Sequence, residues 1–321
     1  YNTIGWAAQD VLGSSLDAFL GTDLGIEQPS QTVATILATQ FTVLGNVSVR
    51  AGGGDDLKDP VGSRTTARLS NKTESSLPTA SASFILAMNK ANTRTQAWIG
   101  AMDEAGPQET MTVITPVTLL VGGGVVVQAY DAVVIESDVT LSVSRGGGAS
   151  AGGIASRNDV RGDTLSGMDR VNLDAAMSVQ IQATQGARVK STVSGISQSQ
   201  TSDEAALSER VVSEAVNTVT APVAVNGLIA NNLILSNSQA ILSNSSVKTG
   251  MDLAVISDNT ADIEATNSAI MSSGGTAVGV TLAFNTVGWK ATDIMRQTVD
   301  ALVGSLRQSG QQVSGTLSIT T

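Results

Sequence analysis

The sequence predicts an all-β fold with helical insertions, namely a right-handed parallel β-helix that carries lateral amphipathic helices. Three observations predict it: strictly alternating strands recur, an Asn signature recurs, and small side chains dominate. Aromatic residues make up 3% and charged residues 14% of the 321 residues, so a core must consist of many small layers rather than a few bulky anchors. We therefore expect residues 1–321 to form a single elongated repeat region.

The first repeated feature is a strand signature, in which a Gly precedes alternating Val, Leu or Ile residues and the run ends on Ala or Thr. Strict alternation gives a strand one buried face. The signature occurs at Gly45–Ala51, Gly123–Ala129 and Gly315–Thr321, with looser copies that begin at Val179 and Gly250.

The second repeated feature is a small residue, any residue, and then Asn. It occurs at Asn89, Asn158, Asn232 and Asn285, with a truncated copy at Asn2. Asn tolerates the left-handed backbone of tight corners, and stacked Asn side chains can form ladders between coils.

The spacing of these signatures sets the expected period. The shortest full repeat, from Asn232 to Asn285, is 53 residues, which we interpret as three coils of about 18 residues each. The distance from an Asn to the next strand signature varies from 18 to 43 residues. We therefore expect one recurrent corner of the solenoid to accept insertions.

Amphipathic helices are the expected insertions. Residues 1–21 and 284–304 share nine identities in 21 positions without a gap, and their apolar residues after the Trp recur at helical spacing. We predict helices over about 5–21 and 288–308, each anchored to the solenoid by Trp6 or Trp289, with ligand stacking as the alternative role for these rings. A polar stretch at about 191–220 is the third expected insertion.

Composition excludes several function classes. The chain has no Cys and no His, which excludes catalytic thiols, disulfides, His-ligated metals and Ser-His-Asp chemistry. Its net charge of −10 makes nucleic acid a poor partner. The sequence contains no run of 18 apolar residues, so it predicts no transmembrane segment. We expect no enzymatic activity and no cofactor.

Two short segments are candidate binding sites. Arg161-Gly162-Asp163 is the tripeptide that integrins read, and its alternative interpretation, which we favour, is an ordinary turn after Asn158. Asp55, Asp56 and Asp59 follow a Gly run and could supply oxygen ligands to calcium. Their alternative interpretation is a solvated loop.

The strand Gly45-Asn46-Val47-Ser48-Val49-Arg50-Ala51 resembles the β-helical repeats of filamentous-haemagglutinin-like adhesins and giant repetitive bacterial surface exoproteins. The Asn-Thr-Val-Gly-Trp segment resembles insertions in some very large repetitive exoproteins. The resemblance implies export to the extracellular space or cell surface, and a role as stalk, filament or adhesin that contacts a host cell, another cell surface or a polysaccharide. A polysaccharide-binding or polysaccharide-cleaving β-helix protein is the alternative function.

We also expect both ends of the solenoid to be open. A solenoid without caps exposes unpaired strand edges, which favour the addition of a further coil. The chain begins within an Asn signature, so we expect either an excerpt of a longer protein or a unit that stacks end to end. Neighbouring copies or continuing repeats are therefore the expected partners.

Overall fold

The computed structural model describes residues 2–4, 28–37, 40–52, 63–75, 81–100, 116–145, 149–199, 223–273 and 275–288. All regular structure within these ranges is β-strand, and the strands pair in parallel in three sheets. The prediction of an all-β parallel fold is therefore confirmed. The predicted helices at about 5–21 and 288–308 lie outside the described residues, apart from Gly288.

The first sheet contains the recurrent Asn residues and is called the ladder sheet. Its strand order is β1 and β2, which lie end to end along β6, then β6, β9, β12 and β15. The bounds are β1 Asn2–Ile4, β2 Ser30–Ile36, β6 Ser81–Gly100, β9 Ala149–Asp169, β12 Val223–Ser243 and β15 Thr276–Val287.

The second sheet, called the facing sheet, packs against the ladder sheet. Its order is β4 and β5, which lie end to end along β8, then β8, β11 and β14. The bounds are β4 Val47–Gly52, β5 Ser63–Ser75, β8 Val125–Arg145, β11 Val179–Ser199 and β14 Leu253–Ser273. A short sheet of β3 Gln40–Val43, β7 Val117–Val121, β10 Val171–Ala175 and β13 Ser246–Thr249 closes one side.

The chain passes through the short, facing and ladder sheets in turn, and one such passage is called a coil. Val125 pairs with Val179, 54 residues later, and Asn232 pairs with Asn285. The expected division of the 53-residue repeat into three coils is therefore wrong: the whole repeat is one coil. The reason is strand length, because β8, β9, β11 and β12 each contain 21 residues and each extends about 70 Å.

Several corners between the sheets are short. Gly122 donates its amide hydrogen to the Val43 carbonyl, and Ala176 and Gly250 repeat this bond one coil further on each time. At the opposite side of the short sheet, Arg170 and Asn244 adopt positive φ angles of 56° and 46°. Such left-handed residues turn the chain from the ladder sheet into the short sheet within one or two positions.

Insertions interrupt the coils at several places. Residues 5–29 separate β1 from β2, although only Asn92 lies between the residues of β6 with which these two strands pair. Residues 53–62 separate β4 from β5. Residues 101–116 and 200–222 separate strands at corners. The expectation of one recurrent corner is therefore wrong. The expected insertion at 191–220 is also too long, because residues 191–199 belong to β11 and pair on both sides.

Candidate functional site

The interior of the fold contains a ladder of Asn side chains. Asn89 donates its side-chain amide to Asn158 at 2.8 Å, and Asn158 donates to Asn232 at 2.8 Å. Asn2 donates to Asn89, and Asn232 to Asn285, both at 3.0 Å. Parallel in-register pairing brings these residues together, because each occupies the same position on its strand.

The Asn ladder lies between two apolar layers. Ala87, Ile154 and Leu228 pack on one side of it, and Ala91 and Val160 on the other. Amides buried in such surroundings are costly unless they are hydrogen-bonded, and the ladder satisfies them across coils. It therefore fixes the register, because a one-residue slip would point every Asn outward.

The ladder has a direction. Every bond runs from the Nδ2 donor of one Asn to the Oδ1 acceptor of the next, from Asn2 towards Asn285. Among the described residues, no further Asn accepts from the Nδ2 of Asn285. The ladder thus ends in a donor at the C-terminal coil and in an acceptor, the Oδ1 of Asn2, at the N-terminal coil.

The C-terminal coil exposes residues that are interior elsewhere. Val179 and Ile181 are 1% and 0% exposed, whereas their partners in the next coil, Leu253 and Val255, are 43% and 45% exposed. The outer edge of β14 pairs with no strand among the described residues. Within the described residues, the 21-residue edge of β14 is therefore open to pairing with a further strand, which would also cover the apolar side chains exposed there.

The exposed edge strand is acidic. β14 contains Asp258, Asp262 and Glu264 and no basic residue. Asp262 pairs with Arg188 at 3.4 Å and Glu264 with Lys190 at 3.2 Å, and all four side chains are about half-exposed or more. Asp262 and Glu264 therefore each meet a base on the strand beneath them, whereas Asp258 lies in register with Thr184. None of the three has a base on its open side within the described residues.

A second polar layer crosses the interior at Asp131. Thr93 donates a hydrogen bond to this carboxylate, and the Gln185 side-chain amide donates another at 3.3 Å. Burial raises the pKa of Asp131 above its ordinary value, and these hydrogen bonds oppose the shift only in part. Asp131 also raises the pKa of Tyr130, after the larger effect of that residue's own burial.

The Arg161-Gly162-Asp163 tripeptide lies in the middle of β9 and not in a turn, so the predicted turn is wrong. Gly162 faces the interior, where the Gln185 amide and the Thr93 hydroxyl occupy the space that a side chain would need. Arg161 forms two hydrogen bonds of 3.1 Å with the fully buried Asp159. Only Asp163 of the three is exposed.

Comparison with protein-family models, curated proteins and solved structures finds no match to this chain.

The other sequence-predicted positions divide into two groups. Gly45 and Gly123 occupy equivalent corner positions, whereas Gly250 is equivalent to Gly122. Those outside the described residues are Trp6, Trp289, Gly315, Asp55, Asp56 and Asp59.

Within the described ranges, no group of three acidic side chains could hold a metal ion and no helix could span a membrane.

The sequence patterns did not identify two aromatic residues on the outer face of the ladder sheet. The Phe84 ring covers Gly153, and the Trp98 ring covers Gly167, each on the neighbouring strand. The aromatic side chain replaces the packing that Gly lacks. Both pairs are separated by 69 residues, the separation of Asn89 and Asn158, and this shared offset is the signal that could have revealed them.

Proposed function

We propose that this chain is a structural or adhesive module of an extracellular bacterial surface filament, stalk or adhesin. In this proposal the coils form a right-handed parallel β-helix that extends by end-to-end continuation. The single observation that carries it is the last described coil, where β14 has no partner on its outer edge among the described residues and Leu253 and Val255 are exposed. Natural sheet proteins blunt or cover such edges unless they are used.

The Asn ladder supports continuation rather than termination. The last amide of the ladder, Asn285, is exposed, so adding another coil would exchange water for a buried amide partner, a modest net gain. The position of Asn285 at the end of the ladder thus favours growth along the coil axis. Adhesive contacts belong to lateral surfaces in this proposal, including the segments at 5–21 and 288–308.

Electron microscopy and sedimentation of the purified chain over a range of concentrations test the proposal. We expect single-file rods that lengthen as the concentration rises, because the exposed edge is at the coil ends. A capped monomer at every concentration would overturn the proposed continuation. Turnover of any member of a panel of acidic polysaccharides would instead favour a polysaccharide-cleaving enzyme.

A further inference from the structure

We infer that residues 5–29 pack on the outer face of the ladder sheet, over Lys90 and Asp159, and supply the negative charge that this buried surface needs. The inference concerns a contact within one chain, so it goes beyond the proposed function and holds whether or not copies join end to end. The surface is called the charged patch and consists of Met88, Lys90, Arg157, Asp159, Arg161 and Leu233.

Strand alternation places the charged patch on the outer face of the ladder sheet. Asn89 belongs to the Asn ladder and Ala91 to an apolar layer of the interior, so Lys90 between them faces outward. The parallel register places Asp159 of β9 beside Lys90, and Leu233 of β12 beside Asp159. These side chains therefore share one surface that is separated from the core by the sheet itself.

The charged patch is nevertheless buried. Lys90 and Asp159 are 0% exposed and Leu233 is 1% exposed, although Lys and Asp are rarely buried fully in proteins. Other outward residues of the same strands differ, because Phe84 is 55% exposed and Asp163 is also exposed. An outward side chain of a sheet is buried when a further layer of chain covers it. Such a layer therefore lies over this part of the ladder sheet.

Residues 5–29 join the ladder sheet beside the charged patch. β1 ends opposite Ala91 and β2 begins opposite Thr93. Both ends of the insertion thus lie next to Asn92, the outward residue that follows Lys90 on β6. No long path is needed to bring this segment onto the patch.

Two other insertions join the fold too far away. Residues 101–116 begin after Gly100, ten positions along β6 from Lys90 or about 33 Å. Sixteen residues with both ends at that side reach out and back by about 28 Å at most. Residues 200–222 end before Val223, ten positions before the patch on β12, and would reach it only as a fully extended hairpin.

Charge favours residues 5–29 over residues 289–321, which also begin close to the patch. The patch contains three bases and one acid, an excess of two positive charges among the described residues. Residues 5–29 contain four acids and no base, whereas residues 289–321 contain two acids and three bases. A buried excess of one sign is costly unless opposite charge lies close to it. The acidic segment is therefore the complementary one.

The single acid of the patch is already shared between two bases. Asp159 accepts two hydrogen bonds of 3.1 Å from Arg161 and lies 3.5 Å from a guanidinium nitrogen of Arg157. The patch also contains Lys90 on the neighbouring strand. Negative charge from the covering layer would thus complete a network that one carboxylate begins.

The sequence pattern of the segment fits this contact. Its predicted helix, over about 5–21, has an apolar stripe that can pack on the buried Met88 and Leu233. Asp10 and Asp17 lie on the helical face away from that stripe, so this face is left on the lateral surface of the protein.

The acids assigned to the patch are Asp23 and Glu27. Both follow the predicted helix and precede the return of the chain to β2 at Ser30. Glu27 is only three positions before Ser30, which pairs with Thr93. These two carboxylates can therefore approach the bases while the helix packs on the apolar residues.

Photo-crosslinking identifies the layer that covers the patch. Replacement of Met88 by the photoreactive amino acid p-benzoylphenylalanine in the full chain should give, after irradiation, a product joined to a peptide from residues 5–29. The same replacement of Phe84, four positions earlier on the same face and 55% exposed, should not join that segment. Joining of position 88 to residues 289–321 or to a second copy, or equal yields from the two positions, would overturn the inference.

Thiol labelling tests the charge contribution separately, because the chain contains no native Cys. Leu233→Cys places a thiol in the patch, and Asn237→Cys places one at an exposed position on the same face of β12. Adding Asp23→Asn/Glu27→Gln should raise the labelling rate of the Leu233→Cys variant by at least about tenfold, because the contact loses its opposite charge and weakens. The labelling rate of Asn237→Cys should not change.

The matched control removes the same charge from the other face of the segment. Asp10→Asn/Asp17→Asn should change the labelling rate of Leu233→Cys by less than about twofold, since these acids face solvent in the inferred arrangement. A labelling rate that does not respond to Asp23→Asn/Glu27→Gln, or that rises equally with Asp10→Asn/Asp17→Asn, would contradict the inferred contact.

Discussion

Asn158 and Asn232 are 74 residues apart in the sequence, yet the side-chain amide of Asn158 donates a 2.8 Å hydrogen bond to that of Asn232. Both side chains are fully buried. The bond joins equivalent positions of two consecutive coils, so it links the Asn signature of the sequence to the architecture.

Replacing Asn158 by Ala tests how much the ladder stabilises the fold. The variant leaves the Nδ2 donor of Asn89 and the Oδ1 acceptor of Asn232 buried without their present partner. We expect a loss of about 2–4 kcal/mol in the free energy of unfolding, measured with urea. The control Asn237→Ala changes an exposed residue of β12 and should stay within about 0.5 kcal/mol of the parent.

The aromatic covering of Gly167 gives a second prediction. A methyl group at Gly167 would collide with the Trp98 ring and the Ile241 carbonyl oxygen, whereas one at Gly227 would meet nothing within 4 Å. We expect Gly167→Ala to destabilise the protein by about 1–3 kcal/mol. Gly227→Ala should be neutral or slightly stabilising, because it restricts the unfolded chain. Equal melting temperatures for the two variants would contradict the packing described.

The buried Asp131 predicts a pH dependence. Burial raises its pKa in the folded protein above the ordinary value of 3.8, so the folded state binds its proton more tightly than the unfolded state does. The contribution of this group to the free energy of unfolding should therefore fall as the pH rises from the ordinary pKa to the raised one. The fall should be about 1.4 kcal/mol for each pH unit between the two pKa values. Asp131→Asn keeps the side-chain shape and should remove this component. If the unfolding midpoints of the parent and of Asp131→Asn depend on pH in the same way, Asp131 is not the source of this component.

The position of Arg161-Gly162-Asp163 in a strand predicts no integrin-type adhesion. Arg161 is held by Asp159 and Gly162 faces the interior, so the tripeptide is not presented on a projecting loop. We expect cells to attach equally to surfaces coated with the parent chain and with Asp163→Glu. Loss of attachment in the variant would restore the adhesive interpretation.

Local patterns predicted part of this fold. Alternation at Val47 and Val49 predicted the correct buried face, and the Asn spacing predicted the 53-residue repeat, although its division into three coils was wrong. The strand length was not predictable in this way, because internal residues such as Gly186 and the pair Asn226-Gly227 resemble turn signals. They lie within β11 and β12, since parallel partners on both sides fix the backbone there.

The candidate site was only partly predictable for a similar reason. The expectation of open ends follows from the absence of an obvious polar cap in the sequence. Where a strand is interrupted depends on the register positions of its parts, and spacing along the chain does not show where an insertion interrupts a coil. Residues 5–29 separate Ile4 from Ser30, although their partners Ala91 and Thr93 are only two residues apart.

Mass per unit length of the assembled rods, measured by scanning transmission electron microscopy, tests the central claim most directly. A chain of 32.6 kDa that advances the rod by four coils, about 19 Å, gives about 17 kDa per nanometre. Coils of about 18 residues would instead spread the same mass over about 86 Å, giving roughly 4 kDa per nanometre. A value near the first figure is the result we expect, and a value near the second would contradict the 53-residue coil.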